Sequence, residues 1–381
     1  MTAGLLAAVV GFGSSFAVVL QGLAAAGASQ AEAASGLLAL CVAMGGLSIL
    51  LSLRRGMPVS IAWSTPGAAL LVATGVPEGG FPAAVGAFLV TAALIVAAGL
   101  WRPFGRAVSA IPATLASAML AGVLLDLCLA PVRAVGAMPM LALPVVLAWA
   151  LAWRFARLYA VPTAVAVAIV LIVLATPIPE GALADIWPEP VLVAPVFTPG
   201  ALVGIALPLF IVTMASQNVP GLAVMNANGY RLDPAPVFVS TGLASAMAAV
   251  FGGHGVNLAA ITAALCAGPE AHPDPARRHV ASITSGAAYL AFGLFAGFTV
   301  AFIAASPPLL IQAVAGLALL ASLGSATAAA LVREDERLPA VVTFVTTTSG
   351  VSFLGIGAAF WGLVAGGALM ALASVRTRAR S

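Results

Sequence analysis

Residues 58–67 read PVSIAWSTPG and form the first part of an apolar segment that continues to Gly75. The first part is rich in β-branched and aromatic residues, which is typical of extended backbone. Thr65 followed by Pro66 is typical of a helix start, with Thr65 as the N-cap and proline at the first helical position. The stretch therefore predicts an extended segment followed by a half-helix that begins near the middle of a membrane.

A second stretch, residues 252–262, reads GGHGVNLAAIT and has the same build. Glycines open it, Asn257 is the predicted helix cap, and a short apolar helix follows. Non-helical backbone at membrane depth is tolerated only where protein buries it or where it lines a cavity. Half-helix N-termini also offer free N–H groups that favour anions. Two broken helices at corresponding places in two halves predict the substrate site of a secondary transporter.

The composition agrees with a membrane protein. Of the 381 residues, 62% are apolar and 7% are charged, whereas a soluble domain carries about 25% charge. The apolar runs are continuous and about 20 residues long, which indicates helices and excludes the alternating strands of an outer-membrane barrel. The few charges do not imply nucleic acid binding. The three cysteines have neither disulfide nor metal spacing, and we predict no cofactor, no metal site and no catalytic residue.

Charges and Gly/Pro clusters divide the chain into segments of membrane-spanning length. We predict an all-α polytopic membrane protein with about fourteen transmembrane spans. Seven spans per half imply an inverted repeat, with spans three and ten broken. The predicted spans are 4–27, 35–53, 58–75, 82–100, 108–125, 136–153, 160–176, 201–225, 236–252, 254–268, 280–304, 307–331, 339–353 and 355–375, and the last two are separated only by Gly355 and Gly357.

Arginine fixes the predicted orientation, because basic residues accumulate in short cytoplasmic loops. With fourteen spans, Arg133 alone falls outside, and we predict that both termini are cytoplasmic. Asp126, at the outer end of span five, is predicted to be an interfacial group or a gate residue. The arginines predicted on the cytoplasmic side are Arg54, Arg55, Arg102, Arg106, Arg154, Arg157, Arg231, Arg277, Arg278, Arg333, Arg337, Arg376, Arg378 and Arg380.

Several polar residues lie inside predicted spans. Ser14 and Ser15 serve either helix packing or the site. Gln217 and Asn218 precede Pro220 in mid-span, and buried amides need partners, which favours a site role. His254 is the only histidine placed within a span. It is either a core histidine bonded to a carbonyl or the group that couples transport to protons.

Residues 58–67, 252–262 and 268–275 resemble signature stretches of the benzoate/proton symporter (BenE) family. The resemblance covers essentially the whole chain and implies an inner-membrane carrier that takes up benzoate or a related aromatic carboxylate with protons. The architecture also resembles the uracil–proton symporter fold. That fold implies a core domain of residues 1–107 and 200–305 and a gate domain of residues 108–199 and 306–381, with the substrate between spans three and ten.

Nucleobase relatives of that fold offer carboxylates from spans eight and ten. Here Gln217 and His254 lie in those regions, which argues for an anion as substrate. The resemblance and the broken spans together predict a substrate-binding set, and the aromatic wall for the ring is sought among Phe12, Phe16, Trp63, Phe210 and Phe251. The predicted substrate-binding residues are Ser14, Ser15, Phe16, Trp63, Ser64, Thr65, Pro66, Gly67, Gln217, Asn218, His254, Asn257 and Leu258.

Other functions remain to be weighed against this one. An intramembrane enzyme is disfavoured, because the chain has no His-Glu-x-x-His and no Gly-x-Ser-x-Gly motif. A passive anion channel and a transporter of another organic or inorganic anion stay open. The expected partners are the small carboxylate, protons and membrane lipid, and the oligomeric state is open, with a homodimer as the candidate.

Overall fold

The structure is a computed structural model that describes residues 1–101, 103–104, 112–175 and 187–378. Arg102, Arg106, Glu180 and Arg380, part of the predicted topology and its loops, lie outside the described residues. Seven helices in the described ranges are long and apolar enough to cross a membrane, and one bent pair would make an eighth. The protein is thus a multi-pass membrane protein, and the fourteen-span count and the sides of the termini remain predictions.

The first half of the chain contains eight helices and one strand in its described residues. Span one is split at Ser14 and Ser15 into two helices, and the other elements follow the predicted spans with shifted ends. The elements are α1 (Thr2–Gly13), α2 (Phe16–Ala25), α3 (Gln30–Arg55), β1 (Ile61–Trp63), α4 (Thr65–Thr74), α5 (Gly80–Leu100), α6 (Ala113–Ala137), α7 (Pro139–Phe155) and α8 (Ala160–Ala175).

The second half repeats the pattern of a strand followed by a short helix. Its span-eight helix contains two π-helical turns, Leu202–Ala206 and Met214–Asn218, and its span eleven bends by 57°. The elements are α9 (Pro199–Ala227), α10 (Pro234–Ala249), β2 (Val256–Leu258), α11 (Ile261–Ala267), α12 (His279–Leu294), α13 (Ala296–Ala304), α14 (Pro308–Ala330), α15 (Arg337–Thr348) and α16 (Ala358–Arg378).

Helix α6 corrects the predicted end of span five. The helix continues through Pro131 to Ala137, twelve residues beyond the predicted boundary at residue 125. Asp126 and Arg133 therefore lie two turns apart on one helix, where their side chains form an exposed ion pair at 2.7 Å. The mistake arose because two charges were treated as a loop, although a mutually neutralising pair can lie on a helix surface.

The two C-terminal helices are separate elements. Helices α15 and α16 are joined by residues 349–357, in which Gly350 and Gly355 have positive φ and Phe353 bridges to Ile356. They pack on each other and on α6, while α6 also packs along α14. A second group of helices consists of α3, α5, α10 and α12. In it, α3 packs on α10 and α12, and α5 packs on α10.

The broken spans have the predicted form. Strands β1 and β2 pair in antiparallel register, with Ile61 opposite Leu258 and Trp63 opposite Val256. The ladder is extended at both ends, because Ala259 N donates to Ser60 O at 2.9 Å and Ser64 N donates to Gly255 O at 3.4 Å. This crossing satisfies backbone groups that would otherwise be unpaired inside the membrane, and one half-helix leaves each strand.

Candidate substrate site

Helix α4 begins one residue earlier than predicted. Ser64 is its N-cap, and the Ser64 hydroxyl accepts a hydrogen bond from Gly67 N at 3.2 Å. The same hydroxyl is 2.9 Å from the Thr213 hydroxyl on α9. The prediction of Thr65 as cap was therefore wrong. Both residues are good caps by type, and the contact with Thr213 favours the Ser64 hydroxyl.

Helix α11 begins later than predicted, at Ile261, and Asn257 does not cap it. Asn257 is fully buried in β2 opposite Ala62, since pairing with β1 keeps the backbone extended past this residue. The helix starts after Ala260 with no side-chain cap. In the described part of the chain, the backbone N–H groups of Ile261, Thr262 and Ala263 have no acceptor, so these donors are free for a ligand.

A small cavity of about 80 Å³ lies where the two half-helices start. It is bounded by Thr65 and Pro66 of α4 and by residues 259–262 at the start of α11. The cavity is also lined by the break between α1 and α2, by Trp63 and Gln217, and by Ser322 of α14. The volume suits a polar group of carboxylate size with its water.

A larger cavity of about 490 Å³, here called the vestibule, adjoins the small cavity. It is lined by Ser117 and Leu120 of α6, by residues 215–217 of α9, and by α14 as far as Ala329. The residues shared by both cavities are Pro66, Gln217, Ala260, Ile261 and Ser322. Among the described residues that line these cavities, none carries a formal charge.

The adjacent amides of α9 have different places. Gln217 lines both cavities, whereas Asn218 is fully buried and its Oδ1 accepts a hydrogen bond from Leu258 N at 3.0 Å. The two residues lie at the end of the π-helical turn Met214–Asn218, and such turns are frequent at functional sites. Gly221 allows the close approach, since a Cβ there would lie 2.7 Å from Ala259 O.

Thr262 is a site residue that the sequence analysis did not select. Its side chain lines the small cavity, and its hydroxyl is buried without a hydrogen-bond partner. Gly11 of α1 packs directly against it, because a Cβ at Gly11 would lie 2.8 Å from Thr262 Cγ2 and 2.3 Å from Tyr289 Oη. Had the helix start been placed at Ile261, the position of Thr262 in the first turn would have indicated it.

The serines at the break of span one have a supporting role. The Ser15 hydroxyl donates to Gly11 O at 2.7 Å and accepts a hydrogen bond from the indole Nε1 of Trp63 at 2.8 Å. The Ser14 hydroxyl donates to Gly11 O at 3.3 Å. Ser14, Ser15 and Trp63 all line the small cavity, and Ser15 fixes the orientation of the indole.

His254 lies behind the strand crossing and does not line either cavity. Its Nε2 is 2.9 Å from Ser64 O, its Nδ1 is buried without a partner, and Phe88 packs edge-on against the ring. The structure thus places the imidazole against the peptide that starts α4. Other predicted residues also lie outside the cavity linings, namely Phe16, Ser64, Gly67, Asn218, Asn257 and Leu258.

The predicted aromatic wall is mostly elsewhere. Of the five candidates, Trp63 alone lines the small cavity in the described structure. Phe12 and Phe16 stack on each other beside a separate apolar crevice, Phe210 stacks on Phe104, and Phe251 lines a third groove. The apolar surface next to the half-helix ends comes instead from Ile261, whose side chain is 67% exposed.

Comparisons with known proteins show the family of the chain. The family described as "Benzoate membrane transport protein" (BenE) matches residues 1–372. The benzoate membrane transport protein of Acinetobacter baylyi is 32% identical over 364 residues, which cover 96% of this chain and 92% of that protein. The chain belongs to the BenE family. The match of the family model over residues 1–372 places it among membrane transport proteins.

A second curated protein and a solved structure are also similar to this chain. The inner membrane protein YdcO of Escherichia coli is 43% identical over 370 residues, covering 96% of this chain and 94% of that protein. The transmembrane domain of the cyanobacterial bicarbonate transporter BicA matches with a TM-score of 0.59 and 16% identity, with 96% of each chain covered. The BicA likeness supports the fold alone.

Proposed function

We propose that the protein is a secondary active symporter that takes up benzoate or a related aromatic carboxylate with a proton across the bacterial inner membrane. The main support is the start of α11, where three free N–H groups and the unpaired Thr262 hydroxyl lie beside an uncharged cavity. Free N–H groups at a helix start bind carboxylates well. The membership of the BenE family supports benzoate as the substrate class.

The proposed pose places the carboxylate in the small cavity and the ring towards the vestibule. The carboxylate accepts hydrogen bonds from the first turn of α11, from the Thr262 hydroxyl and from the Gln217 amide. Ile261, which lines both cavities, contacts the ring, and Trp63 bounds the carboxylate in the small cavity. Because no cation lines the cavity in the described structure, the donors are neutral and the anion is released more readily than from an arginine.

We further propose that residues 1–107 and 200–305 move as a core domain against a gate of residues 108–199 and 306–381. The packing of α6 on α14 and α15, and of α3 on α10 and α12, supports this division. The vestibule lies between the two groups, with core residues of α9 and α11 facing α6 and α14. We propose as well that the chain crosses the membrane fourteen times and that its two halves form an inverted repeat.

Proton coupling is assigned to His254 in this proposal. The imidazole contacts Ser64 O rather than the cavity, so it acts through the peptide group at the start of α4. A protonated ring there places a positive charge near the bound carboxylate and favours the anion, and the pair crosses with no net charge.

The function is tested by uptake of labelled benzoate into proteoliposomes that contain the purified chain. We expect accumulation above equilibrium when an inward proton gradient is imposed, and collapse of the accumulation when a protonophore is added. Preloaded unlabelled benzoate should accelerate entry of label, because a carrier exchanges substrate and a channel does not. Uptake that neither responds to the gradient nor shows this acceleration would contradict the proposal.

The proposed topology has its own test. The test uses a variant in which the three buried cysteines, Cys41, Cys128 and Cys266, are replaced. Single cysteines are then introduced at exposed positions. An impermeant thiol reagent added outside intact cells should label a cysteine at Arg133 and spare one at Gly56. The opposite pattern would invert the proposed orientation.

A further inference from the structure

The vestibule has more hydrogen-bonding capacity than a plain benzoate ring can use. Ser117 of α6, Ser216 of α9, and Ser322 and Ser325 of α14 all line it. A cavity that only had to hold an apolar ring would gain from methyl groups at these positions, since each hydroxyl facing a ring lacks a partner. The four hydroxyls surround the space that the proposed function gives to the ring.

Three of these serines, Ser117, Ser322 and Ser325, line the vestibule and make no side-chain hydrogen bond among the described residues. A serine or threonine in a membrane helix can bond to the carbonyl four residues earlier, and these three do not. Thr327 does so on the same helix, donating to Leu323 O at 2.8 Å. Ser216 donates to Val212 O at 2.6 Å and keeps its capacity to accept. The free hydroxyls are therefore those on the cavity face of α6 and α14.

The charges limit what these serines can recognise. None of the described residues lining the vestibule is acidic or basic. A second carboxylate on the ring would be buried without a cation, and an ammonium group without an anion, and both are unfavourable. A neutral group that both donates and accepts, such as a phenolic hydroxyl, matches the serines in polarity and in hydrogen-bonding capacity.

We infer that the vestibule is a subsite for a ring hydroxyl, so that the substrates include aromatic monocarboxylates hydroxylated away from the carboxylate. This inference rests on the proposed function, because it takes the position of the ring from the carboxylate at the start of α11. A hydroxyl at the meta or para position reaches into the vestibule. An ortho hydroxyl stays beside the carboxylate and bonds to it within the molecule, so it does not reach the serines.

The experiment measures competition against labelled benzoate in proteoliposomes that contain the full chain. The competitors are 3-hydroxybenzoate, 4-hydroxybenzoate, 2-hydroxybenzoate and terephthalate. We expect at least one of the first two to inhibit more strongly than 2-hydroxybenzoate, and terephthalate to inhibit least. Counterflow with the labelled form of the best inhibitor should show that it is carried and does not merely block the site.

Variants connect the preference to the serines. Ser117→Ala and Ser325→Ala should each raise the ratio of the hydroxybenzoate inhibition constant to the benzoate KM by about fivefold, the effect of one neutral hydrogen bond. The ratio is measured on one variant at a time, so a change common to both ligands cancels. Ser240→Ala is the matched control, because Ser240 lies on α10 and bonds to Pro236 O at 2.7 Å, and it should leave the ratio unchanged.

The outcomes separate the two proposals. Benzoate uptake without competition by either 3- or 4-hydroxybenzoate would overturn the subsite and leave the proposed function intact. Competition with an unchanged ratio in both serine variants would also overturn it. Serine-dependent transport of a hydroxybenzoate without any benzoate transport would support the subsite and reject benzoate as the substrate.

Discussion

Replacing Thr262 with valine tests the position of the carboxylate directly. The substitution keeps the shape of the side chain and removes its hydroxyl. Thr262 lines the small cavity, and the hydroxyl is buried without a partner in the protein. The methyl group takes the place of a hydroxyl that has no hydrogen-bond partner, so the substitution leaves no other protein group unpaired. We therefore expect a loss of substrate binding without a loss of folding.

The magnitude follows from the charge of the acceptor. A hydrogen bond to a charged group contributes about 1.5–3 kcal/mol, and each 1.4 kcal/mol is a factor of about ten in affinity. Thr262→Val should weaken benzoate binding by roughly 10- to 150-fold. Removing a buried hydroxyl that is unpaired in the ligand-free protein does not reduce stability, so the thermal unfolding temperature should stay the same or rise.

Binding is measured by titration calorimetry on the purified protein, and KM is measured by uptake in proteoliposomes. Thr284→Val is the matched control, because Thr284 is half-buried on α12 outside both cavities and its hydroxyl bonds to Val280 O at 2.8 Å. The control should change neither quantity by more than twofold. Benzoate binding to Thr262→Val protein within twofold of the wild type would place the carboxylate elsewhere and refute the reasoning.

Three further predictions follow from the site. Gly11→Ala should destabilise the protein by about 1–3 kcal/mol through overpacking and should impair uptake. Gly13→Ala is the control and should do neither, because nothing lies within 4 Å of the new Cβ. Equal unfolding temperatures of the two variants would contradict this. Ser64→Ala should remove a cap contributing about 1 kcal/mol, and a larger loss in Thr65→Ala would restore Thr65 as the cap. His254→Gln should abolish accumulation driven by a pH gradient while sparing benzoate exchange, and full gradient-driven accumulation would remove His254 from the coupling.

The broken spans could be predicted from the sequence because their signals are local. Residues 58–67 combine β-branched residues with a proline at a helix start, and residues 252–255 are rich in glycine. Each signal acts over a few residues, and the structure confirms the strand and half-helix in both places. The sequence also singled out Gln217, because polar side chains inside a membrane span are often functional, and in the structure Gln217 lines both cavities.

The caps could not be predicted, because they depend on contacts between distant segments. Ser64 and Thr65 are equally good by type, and Thr213, far along the chain, contacts the first. Asn257 is a good cap by type as well, but pairing with β1 extends the strand and moves the helix start to Ile261. This shift places Thr262 in the first turn of the helix beside the small cavity and leaves Asn257 buried in the strand.

The aromatic wall failed for a related reason. Five aromatic residues were candidates for the wall by residue type, but the direction of a side chain depends on which helices meet. The break at Ser14 and Ser15 directs Phe12 and Phe16 towards a separate crevice, while Ile261, an ordinary apolar residue by sequence, reaches the cavity. Residue type alone does not distinguish these two surroundings.

The geometry also divides the proposed work of binding and coupling between two sides of one strand crossing. The donors for the carboxylate lie on the cavity side, at the start of α11, and are neutral. His254 lies on the other side, 2.9 Å from the carbonyl of Ser64, whose own side chain caps α4. In the proposed mechanism the proton therefore does not occupy the space of the substrate, and its charge acts on the anion across the strand crossing, where the low-dielectric interior screens it weakly. Coupling then depends on the crossing staying intact, so a change that separates β1 from β2 should uncouple the proton even if His254 and Thr262 are both retained.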